Sequence, residues 1–347
     1  MPKKTLVAAL TAGAVLSLTL TACAAQSGSG AEASGTSGKC NDGAFTIGLV
    51  PKTGTDPYMT TVRDAVEKAA KADGGKVIYE QPADSGGATQ IPFVQDLISK
   101  QVDVIAISGS DVNSTKAALA QAKAAGIKVI SFDSDVDQSS RAMFVNQVDN
   151  ASIGDALLKS MANLMGNKGT FAIESSTQTA TNQNAWIDTI KETLKTDPAY
   201  KDLKLATVVY GNEDKTTSAS VAKQLVQTYP DLTGIIIPAG LSYAPAAAAL
   251  EEVGALGKVK LTGLTPSSGI KQYLSSGNAE DIWWNVSDLG TLTYTAAKSL
   301  VSCTATGAKG DKVTAGDLGD FTVGDDGTLI LGPATVVNKD NVDQFPF

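Results

Sequence analysis

The chain has 347 residues, 43% of them hydrophobic, with a formal net charge of −8 and no histidine. The hydrophobic share is that of a folded globular chain, and the length exceeds what one core usually serves, so two lobes are expected. Negative charge argues against nucleic acid as a partner, and the lack of histidine removes the usual general base and the commonest metal ligand.

Lys3 and Lys4 precede LVAALTAGAVLSLTL, an uncharged run of fifteen residues. Spanning a membrane takes about 20 apolar residues, so the run is short for a transmembrane helix and fits the core of a secretory signal. It ends in LTAC, which resembles the lipobox of bacterial lipoprotein precursors. That resemblance makes 1–22 a signal peptide and Cys23 an acylated N-terminus; an ordinary signal peptide with a chance cysteine is the plainer reading. Residues 23–40 are rich in Gly, Ser and Ala and read as a flexible tether. Acyl chains on Cys23 would hold the protein at the extracytoplasmic face of the bacterial cell membrane without spanning it. Cys40 and Cys303 then remain. In an oxidising compartment they pair, or they are two separate buried thiols, since sequence does not show their distance.

From Ala44 the chain alternates between strand and helix patterns. AFTIGLV, KVIYE from Lys76, VDVIAIS from Val102 and KVISFD from Lys128 are short apolar runs of the kind buried on both faces of a parallel sheet. Helical spacing separates them over 60–72, 90–100 and 113–125. The pattern restarts at RAMFVNQ, then a helix over 152–165, GTFAIESS, a helix over 183–194, LATVVYG and a helix over 217–229. GIIIP, a helix over 244–253, VKLTGL, DIWWN and a last helix over 289–302 complete it. The alternation predicts an α/β fold of two doubly wound parallel sheets, the second starting near Asn146. From Phe321, FTVGDDGTLILGPATVVN reads as extended, hairpin-like structure turning at Asp-Asp-Gly.

In open α/β sheets ligands bind beyond the carboxyl ends of the strands. The first strand is followed by PKTGTDPY, with Lys52 and Tyr58 and without the G-x-G-x-x-G of nucleotide folds. The fourth ends in Phe132 and Asp133, the sixth leads into ESSTQTATNQNAW, the eighth into PAGLSYAP and the tenth into WWN. Amides, a lysine, an aspartate and aromatic rings thus converge on one rim. A sugar hydroxyl both donates and accepts, so carboxylate, ammonium and carboxamide groups satisfy it, while an aromatic plane packs on the ring's C–H face. Plainer roles compete: Asn182 can cap the fifth helix, Trp186 can pack with Ile190 in the core, and Lys52 and Asp133 can be solvated. Trp283 and Trp284 are adjacent in a strand and face opposite sides, so at most one lines a cleft; Trp284, followed by Asn285, is the candidate. With no base, nucleophile elbow or metal-ligand spacing, no catalytic residue, metal or cofactor is expected.

From Ala44 to Phe347 the chain resembles the type I periplasmic sugar-binding proteins of ABC importers, in particular the branch of rhamnose-binding and autoinducer-2-binding proteins. The resemblance rests on TNQNAWID, VVYG followed by Asp214–Lys215, GKVKLTGL, IWWNVSDLG and NVDQF. It implies two lobes joined by three crossovers near Asn146, Asn285 and Phe321. The first lobe would be 41–146 plus 286–321, the second 147–285 plus 322–347. It also implies a monomer that closes over a monosaccharide and delivers it to an ABC permease. Lys52 and Asp133 would contact ligand from the first lobe, Asn182 and Gln183 from the second, with Pro238 and Gly240 offering backbone groups. Asparagine at 182 matches the rhamnose branch, whereas the autoinducer-2 branch carries aspartate. PAGLSYAP differs from both branches and TDPYM replaces a glycine-phenylalanine stretch of the rhamnose branch, so autoinducer-2 or another pentose-like sugar is the alternative ligand. A lipid-anchored enzyme acting on sugars is the distant alternative.

Overall fold

In a computed structural model the described residues are 40–265 and 268–345. The expected signal peptide, the lipidation site Cys23 and the tether as far as residue 39 lie outside them. In chain order the first elements are β1 (Thr46–Val50), α1 (Pro57–Asp73), β2 (Lys76–Tyr79), α2 (Ile91–Ser99), β3 (Val104–Ile107), α3 (Lys116–Ala124), β4 (Lys128–Phe132) and β5 (Met143–Asn146). There follow α4 (Asn150–Leu164), β6 (Gly169–Ser175), α5 (Thr181–Thr196), β7 (Leu203–Tyr210), α6 (Lys215–Thr228), β8 (Leu232–Ile237), α7 (Gly240–Glu252), β9 (Lys260–Gly263), α8 (Lys271–Ser275) and β10 (Ala279–Trp283). The chain ends with α9 (Val286–Val301), β11 (Lys312–Thr314), β12 (Asp320–Thr322), β13 (Thr328–Ile330) and β14 (Thr335–Val337).

Two six-stranded sheets result, in the orders β13-β5-β4-β3-β1-β2 and β14-β10-β9-β8-β6-β7. The first is parallel throughout; in the second only β14 runs antiparallel, beside β10. Strands such as VIAI of β3 are buried at every position, as a sheet covered by helices on both faces requires. This is the α/β architecture of doubly wound lobes that the alternation predicts.

Local signals set the helix ends. Asp56 caps α1 by accepting from the Tyr58 N–H at 2.9 Å, and Pro57 occupies the first helical position, where its missing N–H costs nothing. Helix α9 packs on α1 at Gly290, where a Cβ would lie 2.6 Å from the Val62 carbonyl oxygen; any other residue would push the helices apart. One apolar cluster runs from Phe45 and Ile47 through Phe132 and Val145 to Phe171, Trp186 and Ile236, so the core is continuous from one sheet to the other.

The tail departs from expectation. β11 and β12 form the hairpin, with Lys312 opposite Thr322. Asp325-Asp326-Gly327 is not a hairpin turn: left-handed Asp326 (φ 58) and Gly327 (φ 73) redirect the chain, and β13 pairs in parallel with β5, Leu329 beside Val145. β14 then joins the other sheet, Val337 opposite Asp281. The chain therefore crosses from first sheet to second after Asn146, back after Trp283, and across again after Ile330 rather than near Phe321. A short β-branched run looks alike whichever edge it will pair with, so its partner is chosen by tertiary context.

Cys40 and Cys303 are disulfide-bonded, with Cα atoms 5.4 Å apart, and the Asn41 N–H donates to the Val301 carbonyl at 2.9 Å. The start of the described chain is thereby fastened to the end of α9. Among the described residues no helix is long and apolar enough to cross a membrane.

Candidate ligand-binding cleft

Loops at the carboxyl ends of both sheets meet around one cavity. Buried Gln90 fastens two of them: its Nε2 donates to the carbonyls of Pro51 (2.9 Å) and Ser108 (2.8 Å), and its Oε1 accepts from the Ser110 N–H (3.0 Å). Lys52 is held next to these bonds. Its Nζ donates to Asn182 Oδ1 at 3.1 Å and lies 3.4 Å from Asp133 Oδ2. Asp133 follows β4 with φ 60, in the left-handed region that side chains rarely adopt. Such strain persists where surroundings impose it, here the Ser108 hydroxyl donating to Oδ2 at 2.9 Å and the Asp133 N–H donating to the Val145 carbonyl at 3.0 Å.

The second sheet contributes the start of α5. Asn182 Oδ1 accepts from the Gln183 N–H at 2.9 Å as well as from Lys52, so the amide meets a helix-terminal donor and reaches the first lobe at once. Ala180, not Asn182, holds the cap position. Gln183 Oε1 accepts from the Ser175 hydroxyl (2.7 Å) and the Ser176 N–H (2.8 Å), which turns its NH2 toward Glu213. Trp186 is 2% exposed, belongs to the core and the cavity wall together, and donates from Nε1 to Asn150 Oδ1 at 3.0 Å. Trp284 Nε1 donates to the Tyr58 hydroxyl at 3.1 Å, the rings meeting edge-on. Burial raises the Tyr58 hydroxyl pKa well above its ordinary value, with the Asp133 charge adding to the effect.

Lys52, Tyr58, Asp133, Asn182, Gln183, Trp186, Pro238, Gly240 and Trp284 all line this cavity, which measures about 570 Å³ with its mouth included. Two expected residues do not line it. Phe132, the last residue of β4, is 1% exposed and packs in the core. Asn285 caps α9, its Oδ1 accepting from the N–H groups of Ser287 and Asp288 at 3.0 and 3.3 Å. Trp283 and Trp284 both line the cavity, against the expectation of one. β10 ends at Trp283, so strand alternation no longer governs Trp284.

Two carboxyls of the wall were not anticipated: Asp56 and Glu213. Burial pushes Asp56 up to about 6, opposed by its bond from Tyr58 and helped by the Asp133 charge. Burial likewise pushes Glu213 up to about 7, helped by the charge of Asp56 and opposed by Lys52. Asp56 is visible in the sequence only as a helix cap before proline. Glu213 follows the seventh strand, whose loop belongs to the same rim as those after the first, fourth, sixth, eighth and tenth; that position was the available signal. Beneath the loop lies Glu174, fully buried near the hydroxyls of Ser218 and Ser242 under Gly211, and burial pushes it up to about 8. Among the described residues no group of three His, Cys, Asp or Glu side chains is arranged to hold a metal ion.

Over residues 47–305 the chain matches the periplasmic binding protein domain. The ribose import binding protein RbsB of Bacillus subtilis is 26% identical over 220 residues, 62% of this chain and 68% of that protein. An ABC transporter solute binding protein from Clostridium phytofermentas, solved with bound L-rhamnose, is 32% identical, with a TM-score of 0.84 over 87% of this chain and 98% of that one. LsrB from Clostridium saccharobutylicum, solved in complex with AI-2, shares the fold at 23% identity and a TM-score of 0.78, over 87% of this chain and 100% of that one.

Proposed function

Because the chain belongs to the periplasmic binding protein domain family, we propose that it is the lipid-anchored receptor of a sugar ABC transporter and that its ligand is a monosaccharide, rhamnose. The observation that carries this reading is the Lys52–Asn182 hydrogen bond beside Asp133, which brings polar groups of both sheets to one cavity walled by Tyr58 and Trp284. Carboxylate, ammonium and carboxamide pair with hydroxyls that both donate and accept, and the rings take the C–H face. Rhamnose is favoured over AI-2 by Asn182 and by the relative solved with L-rhamnose.

The function is binding without catalysis. Neither sheet's loops surround a sugar alone, so ligand bridges the lobes, with the crossings after Asn146, Trp283 and Ile330 as the hinge. The bound sugar shifts the population toward the closed form by its extra affinity for that form, and the permease reads the closed form. An acyl group on Cys23 would keep the receptor, as a monomer, at the extracytoplasmic membrane face; Cys23→Ser should then move the protein from the membrane fraction to the medium or periplasm.

The test is a thermal shift of the protein against rhamnose, ribose, galactose, xylose and AI-2, with Asn182→Ala and Asp133→Ala alongside. A ligand that binds only the folded state raises the melting temperature by mass action. A shift with rhamnose that both variants reduce at equal ligand concentration supports ligand and site together. A larger shift with AI-2 replaces rhamnose as the ligand, and no shift with any sugar overturns the substrate class.

A further inference from the structure

Asp56 stands at the start of α1 in the first lobe and Glu213 on the loop after β7 in the second, yet both line the cavity of Lys52 and Asp133. Lys52 is engaged by Asp133 and Asn182. Among the described residues, neither Asp56 nor Glu213 forms an ion pair. The wall therefore carries three carboxyls against one ammonium.

Glu213 is built into place. The Leu241 N–H and Gln183 Nε2 donate to its two oxygens at 3.3 and 3.5 Å, and the Gln183 amide is itself oriented by Ser175 and Ser176. The loop reaches the cavity through two consecutive left-handed residues, Asn212 (φ 56) and Glu213 (φ 54). Non-glycine residues take that conformation when the fold imposes it, and such strain collects at ligand sites. The upward shift of Glu213 to about 7, from burial and then from Asp56, agrees with two acids buried in the wall of one cavity.

We propose that Asp56 and Glu213 set the charge class of the ligand: the cleft admits sugars that are neutral or carry an ammonium group and rejects sugars that carry a carboxylate. This rests on the cleft taking a monosaccharide. A ligand hydroxyl or ammonium can donate to Glu213, whereas above pH 7, where Asp56 and Glu213 are mostly ionised, a ligand carboxylate would meet like charges with no uncommitted cation to pair with.

The test is calorimetric titration at pH 8, where both acids are mostly ionised, of full-length wild type and an Asp56→Asn/Glu213→Gln double variant with L-rhamnose. Galactose, glucose and mannose, each with its 2-amino and uronic acid form, are titrated in parallel. Asparagine still caps α1 and glutamine is isosteric with glutamate, and circular dichroism confirms folding of the variant. The expected result is uronate binding absent or weakest in wild type, and an amino-to-uronate affinity ratio at least about tenfold smaller in the double variant. A uronate that binds wild type as tightly as its neutral parent overturns the proposal while leaving the sugar reading intact. So does rhamnose binding while both charged forms fail in every protein, because shape would then decide. Absence of any sugar binding to wild type overturns both.

Discussion

The Lys52 ammonium and the Asn182 side-chain oxygen meet at 3.1 Å across the cleft, 130 positions apart in the chain and anchored in different sheets. Lys52 keeps Asp133 when Asn182 is lost, so Asn182→Ala should leave the ligand-free fold close to wild type. A hydrogen bond to a charged group contributes about 1.5–3 kcal/mol, so ligand affinity should fall roughly tenfold to a hundredfold. Titration calorimetry checks the affinity and a melting curve checks the fold.

Asp133→Asn should act on stability as well. It keeps an acceptor for the Ser108 hydroxyl but leaves the Lys52 ammonium, only 13% exposed, without its counter-charge. A loss of about 1–3 kcal/mol is expected in urea unfolding. An unchanged unfolding midpoint would mean that Lys52 finds water or Asp56 instead.

Acidity should stabilise the protein between pH 5 and 8. With no histidine in the chain, titration in this window falls to buried carboxyls, among them Asp56 near 6, Glu213 near 7 and Glu174 near 8, with Asp281 also raised by burial. Their unfolded values are about 4, so the folded state binds more protons than the unfolded state across the window. Stability is thus fully present below the unfolded values and declines as pH rises through the folded ones. Urea midpoints measured from pH 5 to 8 should fall, and Glu174→Gln should flatten the alkaline end. Midpoints that rise with pH would contradict the assignment.

Removing the Cys40–Cys303 bond frees a loop spanning 263 positions. Loss of a native disulfide costs about 2–5 kcal/mol. Cys303→Ser should therefore lower the melting temperature measurably, and wild type in reductant should match the variant.

The ten strands up to β10 were legible because each is a short apolar run bracketed by turn residues, and a parallel sheet buries both faces of such a run. Helix starts were less so. Helix α5 begins at Thr181 because Thr-Asn-Gln is helical without showing an apolar stripe, and α7 begins at Gly240, ahead of a proline at 245 that reads as a boundary but lies inside the helix. Lys52, Asp133 and Asn182 were legible as strand-end polar groups. Glu213 was legible only as part of a loop on the same rim; which residue of that loop turns into the cavity depends on a path set by two left-handed residues beyond the edge strand β7. The tail was read as a hairpin because local pattern carries no information on which distant edge a strand will join.

Both sheets receive an edge strand from the last stretch of chain, β13 against β5 and β14 against β10. While the polypeptide is being made, β5 and β10 therefore each keep an open ladder until residues 328–337 emerge. Neither half can complete its hydrogen bonding before those residues are available, so neither sheet finishes folding independently of them. A chain truncated before β13 would present two exposed ladders inviting aggregation.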